Sequence, residues 1–199
     1  MERFTSLDKA LKTAWNLVYR AAVSRNAPMR TPVLATIAEE HPHQRTIVLR
    51  KVDTNAHLLY FFSDMRAPKV LHLQQNPNCN LVFWDPRKKV QIEIQAKGTV
   101  FHQATINKEF WNQINIGGRT SYAALHAPGT PIKKDQAYLP ANWSKEMDIQ
   151  DTQYTFEHFA VLVLDVQQLD VLHLHEAGHQ RCLFTKTEEM SWEMNWLIP

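Results

Sequence analysis

Glycine is scarce in this chain, five in 199 residues. No GxGxxG or GxxxxGK[ST] pattern can be drawn from them, which leaves classical dinucleotide folds and P-loops without support. Cysteine is scarcer still. Cys79 and Cys182 stand alone, fit no CxxC or zinc spacing, and favour reduced thiols in a cytoplasmic setting. Long apolar runs are missing too: "FAVLVL" at 159–164 is far too short to span a bilayer. The start, "MERFTSLDKALK", has charges where a signal peptide needs an apolar run. A cytoplasmic protein without a membrane partner is therefore expected. Charge of one sign is also lacking, since 22 Lys and Arg against 20 Asp and Glu leave a net +2, and the densest basic run is "RKK" at 87–89. That is no nucleic-acid footprint, so any anion bound is expected to be small. No GxSxG elbow marks a hydrolase nucleophile.

The composition itself is that of an ordinary globule, 44% hydrophobic and 21% charged, at a length that suits one domain over 1–199. Residues 5–24 place Leu7, Ala10, Leu11, Ala14, Trp15, Val18 and Ala21 on one helical stripe, with Ser6 or Thr5 as N-cap. Strand-like runs come next at 32–38, 45–52, 56–62, 80–84 and 89–101, separated by short polar turns such as "EEHPHQ", "DTN" and "DPRK". "APKVLHLQQNP" reads as a helix with Pro68 in its first turn. A second helical region covers 105–125, with Gly117-Gly118 as a break and Thr120 as a cap for the segment beyond it; 128–155 reads as a surface loop. Three more strands, "FAVLVLDV", "DVLHLH" and "QRCLFTK", occupy the C-terminal part, the last two joined at Gly178. The fold class expected is mainly β with helices (α+β), an antiparallel barrel of about six to eight strands with helices packed outside.

The stretch "YFFSDMRAPK", 60–69, concentrates the chemistry. A helix that starts at Pro68 presents free N–H groups and a positive dipole end near Ser63, Arg66 and Lys69, a setting for phosphate. Arg45 and Arg50 on the preceding strands add donors. The competing reading is that these cations are solvated and Phe61 and Phe62 are core. Arg45 and Arg50 are five apart, so on a regular strand they face opposite sides, and a shared ligand requires a strand end or bulge between them. "VQIEIQA", 90–96, alternates cleanly, with Gln91, Glu93 and Gln95 on what reads as a solvent face. His173, His175 and His179 fall near one another without a carboxylate or Cys to complete a metal set, so no metal is expected. "NWS" at 142–144 matches a glycosylation sequon that a cytosolic chain would not use.

"RTIVLRKVD", then "LLYFFSDMRAPKVLHLQQNPNCNLVFW", then "VQIEIQAKG" resembles the pyridoxamine 5′-phosphate oxidase family and its FMN-binding split barrel. The family order is R-x-V-L-[LR]-[KR], then [FY]-[FY]-[ST]-[ND] before a Lys-led helix, then N-P, then Q-[VI]-x-[VI]-x-[GA]. The likeness is good over 30–102 and weaker over 105–199, including the C-terminal strands at 156–199. It implies FMN as cofactor, with Arg45, Val48 and Arg50 lining it, Phe62 and Ser63 at the flavin or its ribityl tail, Lys69 on the phosphate and Gln91 at the ring. It also implies a homodimer with FMN at the interface, and a substrate-side alternative for Arg50. "HQRCLF" is similar to the family's H-D-R-[FL]-x-[FY] segment, which implies His179 as the substrate-side, catalytic histidine and Arg181 as a flavin contact. Four departures stand out. Ala177 replaces a substrate arginine, Val171 or Leu172 a tryptophan, Pro68 the basic residue before Lys69, and Gly117 the arginine that precedes the position of Ser121. Arg66 is the available substitute for the third, and Arg119 beside Ser121 for the last.

The resemblance implies an FMN-dependent oxidoreductase acting on a small-molecule substrate or electron donor, related to the oxidases but not identical with them. A methyl group cannot replace a bidentate grip on phosphate. Two alternatives remain open: a non-catalytic FMN carrier or sensor, and an authentic pyridoxamine-phosphate oxidase whose substrate site has been rearranged around Arg119 and Ser121.

Overall fold

In a computed structural model, which describes residues 1–144 and 146–199, the chain opens with helix α1 (Leu7–Val23). The Ser6 hydroxyl accepts from the Lys9 N–H at 3.2 Å, and the stripe Ala10, Ala14, Trp15, Val18 and Ala21 is buried. Arg30, in a short 3-10 turn at Pro28–Arg30, donates to the Ala22 carbonyl at 3.0 Å and so places a cation on the C-terminal end of α1.

The strands are β1 (Val33–Ala38), β2 (His41–Thr46), β3 (Leu49–Asp53), β4 (Leu58–Asp64), β5 (Asn78–Asp85), β6 (Val90–His102), β7 (Phe159–His173), β8 (Gln180–Lys186) and β9 (Trp192–Leu197). Helix α2 (Pro68–Gln75) lies between β4 and β5, and α3 (Thr105–Trp111) and α4 (Ile116–Arg119) come after β6. All pairings are antiparallel, in the order β2-β1-β5-β6-β7-β4-β3, with β8 on the second half of β7 and β9 on β8. Among the described residues no pairing joins β2 to β3, so the sheet curls without closing: a split barrel.

Several expectations are corrected. The polar stretch "EEHPHQ" is not a turn throughout. Glu39 and Glu40 alone make it, both at positive φ (49° and 71°), and β2 begins at His41. A two-residue hairpin with both central residues left-handed matches the sheet's twist, and Pro42 is tolerated because β2 is an edge strand. The run 45–52 is broken at Ile47-Val48 into β2 and β3. Gly117 and Gly118 lie inside α4, and Thr120, whose hydroxyl donates back to the Ile116 carbonyl, is the first residue of a short 3-10 turn, Thr120–Tyr122, and not its cap. Part of the expected loop is a 3-10 run, Ile149–His158. "FAVLVLDV" and "DVLHLH" form one strand, β7, because the polar "QQ" between them is taken up by a bulge opposite Gln95 and Ala96. The strand β9 is an addition to the expected set.

Two apolar clusters flank β4 and the first half of β7. Leu59, Phe61, Leu162 and Leu164 face the main core, while Tyr60, Phe62, Val161 and Val163 face a second one with Trp111, Tyr122 and Phe159. Burial on both faces explains the uninterrupted apolar run at 159–164. Both cysteines are free and buried; burial pushes the Cys79 thiol up to about 12. Among the described residues no helix is long and apolar enough to cross a membrane.

Candidate functional site

The last residues of β4 and the first turn of α2 form a cationic cradle. Pro68 supplies the first helical position, where no N–H is needed, and the N-cap, Ala67, has no side chain that could accept from the next N–H groups. That end of the helix is open to an anion. Ser63 is buried, donates to the Asp64 carbonyl at 3.1 Å and accepts from Lys69 Nζ at 3.2 Å. Lys69 is half-buried, and its pKa is lowered first by burial and then by Arg45, with Asp64 opposing. Arg45 reaches from β2 and donates to the Thr36 hydroxyl at 2.5 Å.

Asp64 offsets the charge of this pair only in part, because both its oxygens are bound to Arg66. Its Oδ1 accepts from the Arg66 N–H (2.8 Å) and Nε (3.0 Å), and its Oδ2 from Nη2 (2.7 Å). Arg66 donates further to the Ala124 carbonyl at 3.0 Å. Arg66 is thus a strut between β4 and the segment after α4. Among the described residues Lys69 and Arg45 are left as two close cations without a carboxylate in ion-pair contact.

Arg50 is placed elsewhere. The register of β3 against β4 shifts between Leu49 and Lys51, and Arg50 turns to the other side of β4, its guanidinium 5.2 Å above the Phe62 ring. It lines a cavity of about 320 Å³ with Arg25, Arg30, Phe62, Phe110 and Tyr122. Burial lowers its pKa, Arg30 lowers it further, and Tyr122 opposes. The five-residue spacing therefore resolves into two anion-attracting places, one on each side of β4. Val48 sits in the short connection between β2 and β3.

Gln91 and Arg181 share a third location. Gln91 is in register with Leu172, and Leu172 with Arg181, so all three stand in a row across β6, β7 and β8 on the outer face, opposite the inward Val90, Ile92 and Ile94. Arg181 there is clamped by Asp170 through Nε at 3.0 Å and Nη2 at 2.7 Å, and the bond to that carboxylate raises its pKa. Among the described residues neither Gln91 nor Arg181 hydrogen-bonds to Arg45, Ser63 or Lys69.

His179 is exposed beyond Gly178, whose φ of +105° makes the turn. It is close enough to His173 to depress that residue's pKa, after the larger effects of burial, His175, the N-terminus and Arg3. No group of three ligands able to hold a metal is found among the described residues. Ser121 is exposed in the turn after α4. Arg119 is 2% exposed: it donates to the carbonyls of Ile114, Ile149 and Trp111 and to the Thr152 hydroxyl, and its guanidinium lies 4.4 Å from the centre of the Trp111 ring. It pins the 149–158 turns to α3 and α4 and presents no free donor edge to a substrate.

Sequence reasoning missed Arg25, Arg30, Thr36 and His72. The arginines flank Pro28, which opens the 3-10 turn after α1, and both line the cavity. Thr36 and His72 gave no signal, since a threonine in a strand and a histidine in a helix are unremarkable until the two meet.

Known proteins share this architecture. Residues 12–102 match the family model described as pyridoxamine 5′-phosphate oxidase, FMN-binding domain, which implies FMN as the cofactor. A pyridoxine/pyridoxamine 5′-phosphate oxidase of Xylella fastidiosa (strain Temecula1 / ATCC 700964) is 32% identical over 94 residues, 46% of this chain and 44% of that one. The chain thus matches less than half the length of that curated relative. A pyridoxamine 5′-phosphate oxidase-related, FMN-binding protein from Nostoc punctiforme PCC 73102 superposes with a TM-score of 0.75 at 21% identity, covering 100% of both chains. PhzG from Burkholderia lata 383, in complex with tetrahydrophenazine-1-carboxylic acid, gives a TM-score of 0.70 at 14% identity over 100% of this chain and 98% of that one. Both structural likenesses establish the shared split-barrel fold.

Proposed function

We propose, from the match of residues 12–102 to the pyridoxamine 5′-phosphate oxidase FMN-binding family model, that the protein is an FMN-dependent oxidoreductase acting on a small molecule. The observation that carries this reading is the pair Lys69 and Arg45, two neighbouring cations that among the described residues have no carboxylate in ion-pair contact, at the open N-terminus of α2. A phosphate monoester carries a charge near −2 and three acceptor oxygens, which suits that donor set. Lys69, Ser63 and Arg45 would hold the phosphate, and Val48, in the connection that leaves β2 just after Arg45, would line the cofactor. FMN, when bound, supplies the redox chemistry, and the protein supplies orientation and electrostatics.

The cavity on the other side of β4 is the substrate-side candidate. Arg50, Arg25 and Arg30 would orient an anionic group there, against the apolar walls of Phe62, Phe110 and Tyr122. Gln91 and Arg181 stand on the open outer face, so they reach the same cofactor only if a second copy brings that face over the cradle. A cytoplasmic homodimer with FMN between the subunits suits this arrangement. His179 would then act across the interface, where a histidine can hold or move a proton. A rearranged pyridoxamine-phosphate site gains no support from Arg119, which is buried with four of its five N–H donors bonded inside the fold.

The test is an absorbance spectrum of the purified protein with and without added FMN, with subsequent anaerobic mixing with NADH, NADPH and pyridoxamine phosphate in turn. Bleaching of bound flavin by one donor is the expected outcome. Bound flavin that none of the three reduces would favour a carrier, and a protein that takes up no FMN would overturn the proposal.

A further inference from the structure

Thr36 is 1% exposed in the interior of β1, where a hydroxyl needs partners for its one proton and its lone pairs. Arg45 can only donate, and its Nη1 gives a hydrogen bond to Thr36 Oγ1 at 2.5 Å. The hydroxyl proton is therefore free for another acceptor, and His72 Nδ1 lies 3.0 Å away. His72 is itself 8% exposed on the inner side of α2. With the His72 proton on Nε2 the bonds run one way, arginine to hydroxyl and hydroxyl to imidazole, and this arrangement uses the hydroxyl proton as well as one of its lone pairs.

We propose that Thr36 and neutral His72 are positioning residues that fix the Arg45 guanidinium in the orientation it presents to the anion cradle. The inference rests on the reading that this cradle takes the FMN phosphate. The charged and titratable groups that face His72 are His43, its ring centre 5.0 Å away on β2, Arg45 on the same strand, and Lys69 one turn earlier on α2. From β5, Thr36's register partner Cys79 turns its thiol to the Ala96 carbonyl and takes no part. β6 meets α2 through Gly98, against Leu73. Burial, then His43, then Arg45 lower the pKa of His72 below that of an ordinary histidine. The relay is intact above that pKa and is lost as pH falls through it, because a protonated ring can no longer accept the hydroxyl proton and sets a further positive charge beside Arg45.

The test compares the affinities of FMN and riboflavin, which lacks the phosphate, by fluorescence titration of wild type, Thr36→Val, Thr36→Ser, His72→Leu and His72→Asn. Valine keeps the shape and strand preference of threonine, so Thr36→Val should fold. We expect Thr36→Val and His72→Leu to weaken FMN about ten-fold and riboflavin not at all, the size of one misplaced charge-assisted contact. Serine and asparagine, which keep the hydroxyl and an acceptor, should restore FMN binding. The weakening of FMN on acidification should be smaller in His72→Asn than in wild type, the phosphate's own ionisation being common to both. Equal loss of FMN and riboflavin in Thr36→Val, or no loss of either, would overturn the relay. Should Thr36→Val be silent while Arg45→Ala weakens FMN, the relay fails and the cradle stands. If Arg45→Ala is also silent and wild type binds riboflavin as tightly as FMN, the cradle reading itself falls. Imidazole ¹⁵N shifts showing a proton on His72 Nδ1 at neutral pH would likewise refute the relay.

Discussion

Lys69 and Arg119 are both cations packed against the same fold, and they serve opposite ends. Arg119 has Trp111 beneath its guanidinium and four acceptors around it, supplied by three carbonyls and a hydroxyl. Its charge is consumed by the structure. Lys69 has one serine oxygen and a neighbouring arginine, and the nearest carboxylate is bound to Arg66. Its charge is left over. The difference teaches that an anion site is marked not by how many cations a segment holds but by which of them lack partners, since satisfied cations neither attract a ligand strongly nor move toward it.

The comparison can be broken most forcefully at Arg119. Arg119→Ala should cost about 3 kcal/mol, because it leaves buried acceptors unpaired and a void beside Trp111; chemical denaturation measures it, and FMN affinity of the folded fraction should not change. Lys69→Ala should do the reverse. FMN affinity falls about 30-fold, worth about 2 kcal/mol of charge-assisted hydrogen bonding, while the melting temperature of the cofactor-free protein stays within about a degree or two of wild type or rises.

Asp64→Asn would convert one kind of cation into the other. It breaks the bidentate hold on Arg66, costs about 1 kcal/mol of stability given that the arginine is partly exposed, and adds a free positive charge beside the cradle. Tighter FMN binding in this variant would sharpen the distinction; unchanged binding would show that Arg66 has no bearing on the phosphate. The smallest effect is a pH slope. The pKa of Lys69 is lower in the folded state than in the free chain, so between the two values the unfolded chain binds more protons and stability rises with pH. Below the folded value that contribution is a constant penalty. Lys69→Met should remove the slope, seen as the difference between the two proteins' denaturation midpoints as pH rises toward the ordinary lysine pKa, and saturating FMN should flatten it in wild type.

Much of the fold was legible because its signals are local. The stripe of α1 with Ser6 before it, Pro68 at the head of α2, and the alternation of 90–96 each fix an element within a few residues. Elements whose limits depend on a partner were not legible. Polar "EEHPHQ" contributes β2 because β1 offers an edge, the glutamines within β7 are spanned because β6 and β8 continue alongside, and β9 forms because β8 leaves an open edge for it.

The residue types of the cradle could likewise be read from "YFFSDMRAPK", since a serine, a lysine and a proline at a helix start already specify free N–H groups and cations. Sequence alone also determined the lack of a long apolar run, the absence of glycine-rich phosphate loops and the chemistry of the anion to expect. Only tertiary structure decided which cations remain available. Arg66 is tied to Asp64, Arg119 is buried under carbonyls, Arg181 is clamped on the outer face, and Arg45 and Arg50 are parted to opposite sides of β4. Partnership in space is set by burial and hydrogen-bond geometry among residues far apart in the chain, and no spacing along the sequence encodes it.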